Sequence, residues 1–107
     1  MDDKLLGILG LARRAGKLTF GNDAVIKDIM AGKAFVVIIA KDAVLRTIKN
    51  IETVCKQYGI EMIKVPKDKF ELGYAIGRGE TAVAAVTDKA FSTKVLEICR
   101  NITGGIY

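Results

Sequence analysis

Residues 35–40 read FVVIIA, and residues 82–86 read AVAAV. Both runs are apolar without interruption and of strand length. A strand wetted on one face alternates polar with apolar residues, so these unbroken runs predict strands covered on both faces, with helices on either side of a sheet.

Around these runs the spacing turns helical. Val44, Leu45, Ile48, Ile51, Val54, Cys55 and Tyr58 recur at intervals of three and four, with Asp42 as the expected cap and Gly59 as the expected stop. A first helix is expected from Asp2 or Asp3 to Gly16, its apolar side built from Leu5, Ile8, Leu9 and Ala12. Gly7 and Gly10 weaken that helix but permit close approach of a neighbour. LTF (18–20) reads as a short strand, Val25 to Ala31 as a helix closed by Gly32, and MIKV (62–65) as a strand stopped by Pro66. Asp68 followed by Glu71 is a capping-box start for a helix running to Ile76. The last helix follows Asp88 and uses Phe91, Val95, Leu96, Cys99 and Ile102, after which the tail NITGGIY is expected to fray. Strand and helix alternate throughout, which predicts an α/β fold: a three-layer α/β/α sandwich around a small four-stranded mixed sheet, forming one domain over residues 1–107.

The bulk properties narrow the chemistry. Half of the 107 residues are apolar, enough for one real but modest core. No apolar run approaches the roughly 20 residues needed to span a bilayer. The opening MDDKLLGILG starts acidic and lacks a small-residue cleavage site, so a cytoplasmic protein is expected, with no membrane partner and no self-association. Cys55 and Cys99 fall on apolar helix sides and read as small hydrophobes in a reduced core. Histidine is absent, which removes the commonest general base and the usual metal ligand; no enzyme activity, cofactor or metal is expected. Lys and Arg outnumber Asp and Glu by 17 to 12, a balance that suits a polyanionic partner.

Four stretches are candidates for a site. In GNDAVIK (21–27), Val25, Ile26, Ile29 and Met30 share one face and leave Asp23 and Lys27 together on the flank. These two either form an i, i+4 ion pair beside a helix capped by Asn22, or join a helix amino terminus that offers N–H groups to an anion or a base edge, with Gly21 admitting close approach. IGRGETA (76–82) contains a GxG, but a helix precedes it and a strand follows, the reverse of a dinucleotide fingerprint. It reads either as an ordinary turn with Gly77 or Gly79 at positive φ, or as an exposed loop presenting Arg78, Gly79, Glu80 and Thr81 to a ligand held elsewhere. Asp42 and Asp88 follow core strands, where a small α/β enzyme or phosphoacceptor domain would keep a carboxylate, yet both also stand where a helix needs a cap. Arg13, Arg14 and Lys17 gather at the end of the first helix, where cations suit the dipole or extend a phosphate-binding surface.

Taken in order, LLGILGLARRAGKL (5–18), GNDAVIK, FVVIIAKDA (35–43) and VPKDKFELGYAIGRGETAVAAV (65–86) resemble the ribosomal-protein family of kink-turn RNA binders. That family includes archaeal large-subunit protein seven-Ae and eukaryotic large-subunit protein thirty-e, and the likeness is greatest to its small bacterial YlxQ-type branch. The resemblance implies an α/β/α sandwich bound to structured RNA, ribosomal RNA or another kink-turn RNA, within the translation apparatus. Such RNAs are sharply bent at tandem sheared G·A pairs. In the family a Gly-x-Asn-Glu-x-x-Lys pattern at the second helix's amino end enters the groove. Here Gly21 and Lys27 match, while Asp23 and Ala24 replace the Asn-Glu pair. The loop that covers a flipped-out nucleotide falls on Arg78, Gly79, Glu80 and Thr81. The RNA-binding set implied is Gly21, Asn22, Asp23, Ala24, Lys27, Lys41 and that loop.

Overall fold

In a computed structural model, residues 3–103 are described, and the side chains of residues 3–101. The elements run α1 (Lys4–Arg14), β1 (Leu18–Phe20), α2 (Asn22–Met30), β2 (Val36–Ile39), α3 (Leu45–Tyr58), β3 (Glu61–Lys64), α4 (Lys69–Ala75), β4 (Val83–Val86) and α5 (Lys89–Thr103). The sheet order is β1-β4-β2-β3. β4 is antiparallel to both β1 and β2, and β2 is parallel to β3, so the sheet is mixed as expected.

The two unbroken apolar runs form the two inner strands, and all eight residues of β2 and β4 are buried. Their alternate side chains feed two cores. Val36, Ile38, Ala84 and Val86 face Leu5, Leu9 and Ala12 of α1, Leu72 of α4, and Val95 and Cys99 of α5. Val37, Ile39, Val83 and Ala85 face Val25 and Ile29 of α2 and Ile51 and Cys55 of α3. Three helices cover one face and two the other, which completes the sandwich. Each fully buried Leu or Ile contributes about 1.5–3 kcal/mol. The edge strand β3 is exposed at Glu61 and Lys64 and buried at Ile63, the alternation of a strand with one open side.

Capping follows the acidic residues in three helices. The Asp3 carboxylate accepts from the Leu6 N–H at α1. Asp68 and Glu71 form the expected capping box at α4, at 2.8 and 3.0 Å. Asp88 accepts from the Phe91 N–H at α5. Gly59 ends α3 at φ 68°, as expected.

Several expectations are corrected. Asn22 does not cap α2; the cap position is Gly21, and the helix starts at Asn22 rather than Val25. Asp42 does not cap α3, whose cap position is Val44 without a side-chain bond. Val44, Leu45, Tyr58 and Met30 are exposed rather than part of the apolar faces, because each stands at the very end of its helix, where fewer neighbours cover it. Of the two glycines in α1, only Gly10 serves close approach: a Cβ there would lie 2.8 Å from the Ala75 carbonyl oxygen, while Gly7 faces open space. The Ile102 side chain and the end of the tail NITGGIY, residues 104–107, lie outside the described residues.

Candidate functional site

One end of the sheet gathers the candidate stretches. β1 and β2 finish there and β4 begins there, as their antiparallel registers require. The Gly21 N–H donates to the Val83 carbonyl at 3.1 Å, and the Ala40 N–H donates to the Ala82 carbonyl at 2.9 Å. The start of β4 thus holds both the entry to α2 and the exit from β2.

At Gly21 the chain turns with φ 91° and ψ 149°, a conformation that side-chain-bearing residues rarely adopt. This turn launches α2 straight from β1. The first intrahelical bond is Val25 N–H to Gly21 C=O, and no side chain caps the amides of Asn22, Asp23 and Ala24, all of which are exposed. Uncapped amides and the positive end of the helix dipole make a site for an acceptor or an anion. Asp23 sits in the first turn, and Lys27 is exposed one turn further on. Their i, i+4 ion pair does not form: among the described residues the ion pair joins Lys67 to Asp3 instead. Lys27 therefore keeps an ammonium available to a ligand. The direction of α2 is fixed further along, where the Thr19 hydroxyl donates to the Asp28 carboxylate and Val25 and Ile29 enter the core.

The loop before β4 lies beside this helix start. Gly77, at φ 76°, turns the chain out of α4, and Gly73 lets the loop fold back against the helix. A Cβ at Gly73 would lie 1.8 Å from the Gly79 carbonyl oxygen, so only glycine fits there. The Arg78 N–H donates to the Gly73 carbonyl at 2.9 Å, and the Thr81 N–H donates to the Lys69 carbonyl at 3.0 Å. Arg78, Gly79 and Glu80 are exposed. Thr81 is not at an exposed tip: it is 4% exposed, and its hydroxyl donates to the Gly79 carbonyl. It shapes the loop from inside because the backbone bond to Lys69 pulls it under α4.

Lys41 joins the same end. It is exposed, and its N–H donates to the Lys67 carbonyl at 2.9 Å. That link explains the displaced cap, since it draws Asp42 toward α4, where its carboxylate accepts from the Lys69 N–H. Lys67 in turn pairs with Asp3. Partial burial pushes the Asp3 carboxyl up, but the Leu6 N–H and Lys67 outweigh it and hold it below its ordinary value. The Asp3 carboxylate raises Lys67 correspondingly.

The enzyme alternative gains little geometry. Asp42 follows β2 and Asp88 follows β4, and because these strands are antiparallel the two carboxylates stand at opposite ends of the sheet. Each is already an acceptor for a backbone N–H. Cys55 is buried, which pushes its thiol up to about 11 and leaves it a poor nucleophile at neutral pH. No helix among the described residues is long and apolar enough to cross a membrane.

Sequence reasoning missed Phe20. As the last residue of a three-residue strand it looks like core, yet it is only half-buried, and the guanidinium groups of Arg13 and Arg78 both lie over its ring. The available signal was its place directly before the glycine that opens α2.

Comparison with known proteins places the chain among relatives of the same fold. Over 91 residues the chain is 37% identical to the RNA-binding protein YlxQ of Bacillus subtilis (strain 168), covering 85% of this chain and 90% of that protein. It is 32% identical over 95 residues to the RNA-binding protein YlxQ of Enterococcus faecium, covering 89% and 90%. A solved structure of a protein of unknown function from Bacillus halodurans C superposes with a TM-score of 0.87 at 36% identity, covering 92% of this chain and 98% of that one. The Giardia lamblia 15.5kD RNA binding protein shares the fold, with a TM-score of 0.78 at 23% identity over 99% and 93% of the two chains. The model of the ribosomal protein L7Ae/L30e/S12e/Gadd45 family matches residues 3–96, and with relatives of this identity and coverage the chain belongs to that family, in its YlxQ-type branch.

Proposed function

We propose that the chain is a non-enzymatic RNA-binding protein that captures kinked, structured RNA in the cytoplasm as part of the translation apparatus. Its family, and the RNA-binding YlxQ proteins it resembles at 37% and 32% identity, support RNA as the partner. The observation that carries the finer reading is the uncapped start of α2 at Gly21, hydrogen-bonded to the start of β4 and flanked by the loop at Arg78–Thr81.

Recognition then divides by chemistry. Gly21 lets the RNA backbone approach, and the amides of Asn22, Asp23 and Ala24 meet acceptors. The Asp23 carboxylate accepts hydrogen bonds from guanine N–H groups of the sheared G·A pairs, a role for which an acceptor-only side chain is suited. Ala24 supplies no polar side chain and leaves room instead. Lys27 and Lys41 add charge toward phosphate. Gly79 and Glu80 cover the extruded nucleotide, on a loop whose shape Thr81 and Gly73 maintain. The whole is a capture of RNA shape, because the donors and acceptors lie on a rigid helix end that only a widened, kinked groove admits.

The test is a titration into a kink-turn duplex and into the same duplex with its G·A pairs replaced by Watson–Crick pairs, at two salt concentrations. Tight binding to the first alone is expected. Equal, weak, salt-labile binding to both would reduce the reading to general electrostatic affinity.

A further inference from the structure

The α1 carboxy end, the tip of β1 and the loop before β4 meet at Phe20. The Arg13 guanidinium carbon lies 4.9 Å from the ring centroid, and that of Arg78 lies 4.2 Å from it. The two arginines are 65 residues apart in the sequence and come from opposite sides of β1 in chain order. Both are exposed.

Two cations on one small ring repel each other. An aromatic ring attracts a cation to its face, but one guanidinium suffices to cover an exposed edge. Where two converge, a carboxylate between them is the ordinary compensation. Among the described residues neither arginine has an ion-pair partner, the ion pair there joining Lys67 to Asp3. The arrangement therefore leaves two oriented guanidinium forks with their charges unmet, directly before the glycine that opens α2. Guanidinium forks match the paired oxygens of a phosphodiester, and a planar group held against a ring loses less freedom on binding it.

We propose that Arg13, Phe20 and Arg78 form a phosphodiester clamp, in which the ring orients both guanidinium groups to grip the RNA backbone flanking the α2 site. The proposal rests on RNA binding, but not on selectivity for the kink-turn. It assigns Arg78 to phosphate rather than to the extruded base. It also gives Arg13 a task beyond complementing its own helix dipole, and Phe20 one beyond packing.

The experiment measures RNA affinity against salt for the full chain and for Arg13→Gln, Arg78→Gln, the double variant and Phe20→Leu, on kinked and unkinked duplexes, with thermal melts alongside. Each arginine variant is expected to weaken binding several-fold on whichever RNA binds, and to lower the slope of log K against log salt by about 1. The double variant should weaken binding further than either single variant and lower the slope by about 2, as two separate phosphate contacts are lost. Phe20→Leu keeps both charges, so affinity should fall with the salt slope retained. An unchanged slope in Arg13→Gln would overturn the clamp even if kink-turn selectivity held. Equal binding to both duplexes with an Arg13-dependent slope would sink kink-turn selectivity and uphold the clamp. Saturable binding of inorganic phosphate alone, with RNA binding indifferent to Arg13→Gln, would overturn it in favour of a small-anion site. Failure to bind any RNA at low salt, or dependence on Arg13 only in binding an acidic protein, would remove both readings.

Discussion

The starts of α4 and α2 lie at the same end of the sheet and are built in opposite ways. At α4, Asp68 and Glu71 exchange hydrogen bonds with each other's backbone, and Asp42 takes the Lys69 N–H from a neighbouring loop. The amides of Asp68, Lys69 and Glu71 are thus met from within. At α2 the cap position is a glycine, no side chain turns back, and three exposed residues carry unmet amides. Asn22, a good capping residue, stands one position too late to serve. A protein that closes one helix start so thoroughly has the means to close the other. The α3 start also lacks a side-chain cap, so what sets α2 apart is its glycine turn tied to β4, which under the proposed function leaves the helix start open to RNA.

That contrast is most severely tested at Gly73, which belongs to α4 but supports the loop beside α2. Gly73→Ala must displace the Gly79 carbonyl, and overpacking of this kind costs about 1–3 kcal/mol. Chemical denaturation is expected to show that loss, and RNA titration a loss of at least ~10-fold, about 1.4 kcal/mol, as the loop moves. Unchanged affinity in a folded Gly73→Ala would separate the loop from the site.

Gly21→Ala comes next. A side chain at φ 91° is strained, at an expected cost of about 1–3 kcal/mol, readable as a fall in the denaturation midpoint. Lys27→Ala should behave in reverse: RNA affinity falls roughly five-fold, about 1 kcal/mol, while the melting temperature stays put. A matching loss of stability would make Lys27 structural.

The caps themselves separate cleanly. Asp68→Ala should cost about 1 kcal/mol through the lost capping box, whereas Asn22→Ala should leave stability within about 0.5 kcal/mol, as surface substitutions away from such features do. Equal costs would mean that Asn22 caps α2 in solution.

The smallest effect concerns pH. The Asp3 carboxyl is held below its ordinary value, so its contribution is present above the unfolded-state pKa and lost as pH falls through the folded one. Lys67 is raised, so its contribution is present below 10.5 and lost as pH climbs through its higher folded value. The pair is partly exposed, and its removal by Lys67→Met should cost under about 1 kcal/mol, with the difference from the parent vanishing in acid. Persistence of the full difference at acidic pH would show that packing, not charge, accounts for it.

Strand cores, the capping box at Asp68, the stop at Gly59 and the cap at Asp88 were all legible, because each depends on residues within four positions of one another. The cap of α3 was not. Asp42 has the right chemistry and nearly the right place, but the bond from Lys41 to the distant Lys67 draws it to α4. Thr81 looks like a polar loop residue and is buried for the same kind of reason. The conjunction at Phe20 involves positions 13, 20 and 78, and no local pattern announces it.

The sequence by itself determined the order of the elements, the burial of β2 and β4 on both faces, and the glycines at which the chain turns. These follow from side-chain period and backbone freedom, which are properties of neighbours in the chain. Only the tertiary structure decided which helix starts are closed, which apolar residues at helix ends stay exposed, and which cations share a ring. Those depend on where antiparallel β1, β4 and β2 bring their ends together, and hydrogen bonds and charges act through that proximity in space.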